Sequence, residues 1–141
     1  MGNQPPETYT AKPERFDALS GVSISRDHGC ELDASGHGVC WGNDTGGKAQ
    51  APAAKTFTAV SASAGSSCGL ESNGSVTCWG TESCASRADS PGPYTKMCAA
   101  WRGACGIKAN GKVECWGCDI GPPPADATFT ELACGFMSAC G

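Results

Sequence analysis

Eleven of the 141 residues are cysteine, and their spacing is regular. Three times a cysteine is followed by nine residues and then Cys-Trp-Gly: Cys30 to Cys40-Trp41-Gly42, Cys68 to Cys78-Trp79-Gly80, and Cys105 to Cys115-Trp116-Gly117. Outside hyperthermophiles, thiols at this density belong to oxidising compartments, where their chemistry is structural disulfide formation. The spacing suggests three hairpin pairs, Cys30–Cys40, Cys68–Cys78 and Cys105–Cys115. Cys84 and Cys118 lie just after a Cys-Trp-Gly, and Cys98 and Cys134 lie where the next repeat opens. Pairing Cys84 with Cys98 and Cys118 with Cys134 would tie each connecting loop to the unit it enters. Cys140 is then unpaired or intermolecular. Connectivity is not fixed by sequence, so these pairings stand as expectations.

Other chemistries fit the same residues less well. Cys115-Trp116-Gly117-Cys118 has redox Cys-x-x-Cys spacing, but that chemistry needs a helix N-terminus to hold the thiolate. Pro122, Pro123 and Pro124 preclude a helix soon after. Structural zinc wants a second such pair, or histidines at ligand spacing. Only His28 and His37 exist, both read as surface residues near turns, so neither a metal nor a cofactor is expected. Ser25, Asp27 and His28 crowd together, but sequence adjacency is not triad geometry. No nucleophile elbow, phosphate loop or carboxylate pair appears, and no catalytic residue is assigned. Asn43-Asp44-Thr45 and Asn73-Gly74-Ser75 are glycosylation sequons; Asn73 is explained by its turn, which leaves Asn43 the better acceptor. Trp41, Trp79 and Trp116 recur with the period and read as packing. Trp101 does not recur, its equivalents being Ala64 and Phe136. With Arg102 beside it, Trp101 is a candidate interface anchor, since both types are enriched at hot spots; filling between repeats is the alternative.

The elements that must position these residues are short strands. Residues 19–30, 57–68 and 94–105 align without gaps, and 129–140 opens the same way, a period of about 37 residues. Period-two alternation at Cys68, Leu70, Val76 and Cys78 marks two paired strands. Ser72-Asn73-Gly74 and Ala109-Asn110-Gly111 are the turns between such strands. A two-residue Asn-Gly loop would set Cys68 opposite Trp79. A three-residue loop ending in a glycine bulge sets Cys68 opposite Cys78 and Leu70 opposite Val76, which matches like with like. The stretches 43–47, 81–84 and 118–124 read as surface loops, and residues 1–15 as a polar, proline-containing arm or linker.

The pattern Phe-Thr-x-Val-Ser-Ala, Cys-Gly-Leu, Asn-Gly-x-Val-x-Cys-Trp-Gly resembles the regulator-of-chromosome-condensation repeat in its short, cysteine-bearing extracellular form. The resemblance covers residues 16–141, with repeats starting near 19, 57, 94 and 129. It implies an all-β chain: a partial β-propeller of short antiparallel blades, three plus the start of a fourth, stapled by disulfides. A full ring of this type has about seven blades. The family's members act mostly as interaction platforms, among them a nucleotide exchange factor, a β-lactamase inhibitor and an ultraviolet receptor.

Composition agrees. The formal charge is -4 and no basic run occurs, which disfavours nucleic acid. No window approaches the ~18 apolar residues of a spanning helix. Large aliphatics are few against 20 glycines and 9 prolines, so covalent links and stacked turns must replace a Leu/Ile/Val core. Met1-Gly2-Asn3-Gln4-Pro5-Pro6 has no leader character, and Pro6 removes the hydroxyl an N-myristoylation motif requires. The reading is a secreted or cell-surface module that binds or adheres rather than catalyses. Its partner would be a protein or glycan, and the chain either a homo-oligomer or part of a longer one. A structural subunit of an extracellular appendage, filament or coat, with self-assembly, and a secreted enzyme inhibitor are the alternatives.

Overall fold

The computed structural model describes residues 21–80, 92–118 and 120–135, together with the backbone of Ala139–Cys140. The expected arm at 1–15, the opening of the first repeat at Leu19, Cys84 and Phe136 lie outside these residues. The described chain is all-β. Strands β1 (Ser23–Ile24), β2 (His28–Leu32) and β3 (Gly38–Gly42) form one antiparallel sheet. Strands β4 (Ala59–Ala62), β5 (Ser67–Leu70) and β6 (Val76–Trp79) form the second. The third contains β7 (Lys96–Ala100), β8 (Gly103–Ile107) and β9 (Val113–Gly117), and β10 (Ala133–Cys134) pairs with β11 (Ala139–Cys140). The first strand of each sheet lies against the first strand of the next. This is an arc of a β-propeller, three blades and the opening of a fourth.

The register within each blade follows from its turn. Glu71 N donates to Ser75 O at 2.8 Å and Gly74 N to Glu71 O at 3.0 Å, enclosing Ser72-Asn73-Gly74 as a three-residue loop. Gly74 has φ +85°, and Gly36 and Gly111 repeat this at +83° and +80°, a conformation that glycine adopts without a Cβ clash. The loop sets Cys68 opposite Cys78 and Leu70 opposite Val76. Cys30 and Cys40, and Cys105 and Cys115, face each other in the same way. All three pairs are disulfides, with Cα atoms 4.1, 4.0 and 4.0 Å apart. Each turn also seats the next repeat: Phe57 N donates to Gly36 O at 2.7 Å, Tyr94 N to Gly74 O at 2.9 Å and Phe129 N to Gly111 O at 2.8 Å.

Packing between blades has a fixed polarity. Trp79 and Val60 of the second blade bury against Cys30 of the first, with Leu32 and Cys40 at the margin. One step on, Ala99 and Ala104 bury against Cys68, with Trp116, Met97, Cys78 and Val76 around them. The tryptophan side of each blade therefore covers the cystine side of the one before. Cys30, Cys68 and Cys105 are fully buried. Phe57 packs on Trp79 at 5.6 Å between ring centroids, and Tyr94 stacks on Trp116 at 5.1 Å. Room for these rings comes from glycine: a Cβ on Gly69 would lie 2.3 Å from Phe57 Cδ1, and one on Gly106 2.5 Å from Tyr94 Cδ1. Trp41 covers Gly29 of its own blade but remains 43% exposed.

Polar contacts close the gaps between blades. Ala62 N donates to Ser23 Oγ and Ala99 N to Ser61 Oγ, both at 2.9 Å, each pair spanning equivalent positions of successive repeats. At the next step those two positions are Cys98 and Cys134, and they are joined by a disulfide. This corrects the expected loop pairings: Cys98 is not bonded to Cys84, nor Cys134 to Cys118. Cys118 is disulfide-bonded, but not to Cys134. The physical reason is position. Strands β7 and β10 lie against each other, and Cys98 and Cys134 face across that contact with Cα atoms 5.6 Å apart.

Two outcomes are expected in denaturant titrations of the oxidised protein. Replacing both Cys98 and Cys134 by alanine opens a 36-residue link and should cost about 4 kcal/mol by loop entropy. Cys98→Ser with Cys134→Ala should recover about 1 kcal/mol of that, by restoring the hydroxyl-to-amide bond of the other contacts. Equal stabilities for the two variants would refute the equivalence. Separately, Gly69→Ala should cost at least about 1–3 kcal/mol through overpacking on Phe57, whereas Gly121→Ala meets open space and should be neutral.

Candidate binding face

The turn that opens each blade differs from repeat to repeat, unlike the Gly-containing turns at the opposite end. Ser25 N donates to His28 O at 2.9 Å around Arg26-Asp27, and Ser63 N to Ser66 O at 2.8 Å around Ala64-Gly65. Ala100 pairs with Gly103 around Trp101-Arg102. The loops that follow Cys-Trp-Gly return to this same end. Asn43 N donates to Asp27 O and Cys118 N to Arg102 O, both at 2.9 Å. One edge of the arc thus collects the variable turns and the irregular loops.

On this edge Arg102 Cζ lies 5.7 Å from the Trp101 ring centroid, a cation–π arrangement, and both side chains are half-buried. Ile120 from the loop after Cys118 packs over Gly103 beside them, so a Cβ on Gly103 would lie 2.5 Å from Ile120 Cδ1. Asn43 is exposed, and its Oδ1 accepts from Thr45 N at 2.8 Å and Thr45 Oγ1 at 2.6 Å. Asn73 is exposed at the opposite turn, where its Oδ1 accepts from Ser75 N at 2.9 Å.

Beneath the first two variable turns lies a polar cluster that sequence reasoning did not assemble. Lys48, 5% exposed, leaves the loop between the first two blades and points back under both turns. Its Nζ donates to Asp27 Oδ1 and Oδ2 at 3.0 and 2.9 Å and to Ala64 O at 3.2 Å. His28 is 3% exposed, which corrects its expected place on the surface. It is buried because the second blade closes over it: His28 Nε2 lies 2.8 Å from Ser67 Oγ, and Nδ1 lies 2.9 Å from Ser25 Oγ. Ser67 donates its hydroxyl to Lys48 O at 2.9 Å, so it accepts from His28 Nε2–H. Ser25 Oγ also lies 3.2 Å from His28 O, and burial of the ring favours its neutral form.

The cluster brings a serine, a histidine and an aspartate together, with Asp27 Oδ1 3.5 Å from His28 Nδ1. Ser67 is nevertheless fully buried and its proton is committed to a main-chain carbonyl, so no substrate atom reaches it. His37 sits apart at the first hairpin turn, 3.6 Å from Asp33 Oδ2. Cys115 of the Cys-x-x-Cys is bonded to Cys105, across the hairpin. Among the described residues no group of three or more His, Cys, Asp or Glu is placed to hold a metal, and no helix is long and apolar enough to cross a membrane. Lys48 has no counterpart in the motif, so only the three-dimensional return of its loop could reveal it.

No family model matches the chain, and no curated protein sequence matches it. Solved structures do. The entire ectodomain of the receptor kinase CR4 from Physcomitrella patens is similar at TM-score 0.72 and 28% identity over 85% of this chain. The CRINKLY WD40 ectodomain of the Arabidopsis thaliana receptor kinase ACR4 is similar at TM-score 0.69 and 26% identity over 82%. Prp20p from Saccharomyces cerevisiae shares the fold at TM-score 0.57 and 13% identity over 82%. This chain spans 36%, 42% and 41% of those three chains.

The cluster sets a pH dependence. Burial lowers the His28 pKa below its ordinary 6.5, so the unfolded chain takes up a proton there before the folded one does. Stability should be level above pH 6.5 and decline as pH falls below it. Asp27, held down chiefly by its bond to Lys48, and Glu71, by Lys55, add a second decline below the ordinary carboxylate values of 3.8 and 4.5. Thermal unfolding across pH should show both steps, with His28→Gln removing the first. A His28→Gln profile that keeps the upper step would refute the assignment.

Proposed function

We propose that this chain is an extracellular, non-catalytic binding module whose partner docks on the edge carrying the variable turns. The observation that carries the reading is the division between the two ends of the blades. The glycine turns repeat because each must receive the next repeat's Phe57, Tyr94 or Phe129 amide. The opposite turns read Arg26-Asp27, Ala64-Gly65 and Trp101-Arg102; Asp27 and Arg102 accept loop amides through their main-chain carbonyls, which leaves the side-chain types at these turns to vary. Rigid blades that present variable loops are a common way to build recognition. The disulfides and the similarity to receptor-kinase ectodomains support an extracellular setting. The enclosure of Ser67 and His28 supports binding over catalysis.

Trp101 and Arg102 are the proposed anchors, for a protein or glycan partner. Asn43, exposed on the same edge, is the proposed glycan acceptor in a host that modifies its sequon. The test is cross-linking capture from extracellular material of the native source, using the native chain and two variants. Trp101→Ala with Arg102→Ala should lose the captured partner at least tenfold, as expected for a hot-spot pair worth about 2 kcal/mol or more. Ser72→Lys, at the opposite turn, should retain it. Equal capture by all three would place the partner elsewhere.

A further inference from the structure

The first two blades meet through two unlike halves. An apolar cluster of Cys30, Phe57, Val60 and Trp79 fills one. The other, under the variable turns, is polar and encloses His28. The ring reaches across the joint to Ser67 Oγ, which donates to Lys48 O at 2.9 Å, and Trp79 Nε1 donates to the same carbonyl at 3.0 Å. Lys48 Nζ ties the Asp27 carboxylate to the Ala64 carbonyl, so one lysine grips the turns of both blades. The charged groups facing the ring are Asp27 on its own turn, with Lys48 and Asp44 from the loop; the second blade meets it with the Ser67 hydroxyl. The next joint fills the same repeat positions with groups that do not titrate. Ser63 and Ser66 stand where the first blade has Ser25 and His28, and their hydroxyls donate to Ala100 O at 2.7 and 3.4 Å.

We propose that His28 is an acid-operated latch: its protonation in the folded chain loosens the polar half of the first joint and parts the turns at Arg26-Asp27 and Ala64-Gly65, while the second joint keeps its form. The geometry supplies the cause. Protonation sets a second cation near Lys48, with both groups almost closed to water and the Asp27 carboxylate to share. Asp27 Oδ1 lies 3.0 Å from Lys48 Nζ and 3.5 Å from His28 Nδ1. A buried charge short of a partner is costly, and parting the turns returns it to water. Burial, opposed by Asp27 and reinforced by Lys48, holds the His28 pKa below 6.5 in the closed joint. The open joint therefore takes up the proton first, and acid favours opening. The cystines Cys30–Cys40 and Cys68–Cys78 each lie within one blade and do not restrain this joint. The latch is a property of the chain alone; only its consequence, a partner edge rearranged in acid, rests on the binding reading.

Two equivalent amides read the two joints separately. Ala62 N donates to Ser23 Oγ across the first and Ala99 N to Ser61 Oγ across the second, both at 2.9 Å. Hydrogen exchange followed by NMR on the oxidised full chain, from about pH 7.5 to about pH 5, gives the protection of each after correction for intrinsic rates. As pH falls below 6.5, Ala62 should lose protection at least about tenfold relative to Ala99. His37→Gln, which removes the histidine at the first hairpin turn, should leave that loss unchanged. His28→Gln should hold the ratio level across the range. Should that variant not fold, the native ratio still decides, followed alongside the His28 ring resonances. A native ratio that stays level while the ring titrates overturns the proposal. So does global unfolding before any selective loss at Ala62, or a loss that persists in His28→Gln. None of these outcomes bears on capture of a partner through Trp101 and Arg102.

Discussion

The contacts of the first blade with the second and of the second with the third are each built on a cross-strand cystine, whose Cys30 or Cys68 is fully buried. The bonded pair is compact, so the neighbouring sheet can approach closely enough for alanine and tryptophan to fill the space between them. That approach explains the composition. Among the described residues, the buried cluster between the first and second blades is Cys30, Phe57, Val60 and Trp79, and that between the second and third is Cys68, Ala99 and Ala104. Such thin layers bury too little apolar surface to hold a chain without covalent help, since small cores are only marginally stabilising. Gly69 and Gly106 belong to the same constraint, because the aromatic rings beside the cystines leave no room for a side chain there.

The polar groups caught between blades are satisfied with economy. Ser63 Oγ donates to Ala100 O at 2.7 Å, and Ser23 and Ser61 accept amides of the following blade. Lys48 is the costliest of these groups, since burying an ammonium is unfavourable unless it is paired and fully bonded. It meets both conditions through Asp27 and the Ala64 carbonyl. The pair fixes how the first blade sits on the second, and His28 with Ser67 reinforces the same alignment.

What the sequence made legible was whatever repeats. The nine-residue interval between cysteines, together with Asn73-Gly74 and Asn110-Gly111, selects a three-residue loop, and that loop dictates register and hairpin pairing. Contacts between repeats were less readable. Cys98 and Cys134 stand one residue apart in repeat position, where Ser23 and Ala62, or Ser61 and Ala99, make a hydrogen bond, and nothing within one repeat shows that these positions touch. His28 looked exposed because its turn is polar; its burial depends on Ser67, 39 residues away. Trp101 stood out by failing to recur, and it lies with Arg102 on the variable edge.

The substitution of a disulfide for a serine contact makes the arc mechanically uneven. Under a tensile load along the arc, the joint at Ser23 resists through hydrogen bonds and packing among the described residues, which yield and re-form. The joint at Cys98 and Cys134 holds until a covalent bond breaks. A pull would therefore strain the first blade's contact with the second while the third stays fastened to the strand that follows it. The molecule has an elastic end and an inextensible end, and the difference rests on two sulfur atoms.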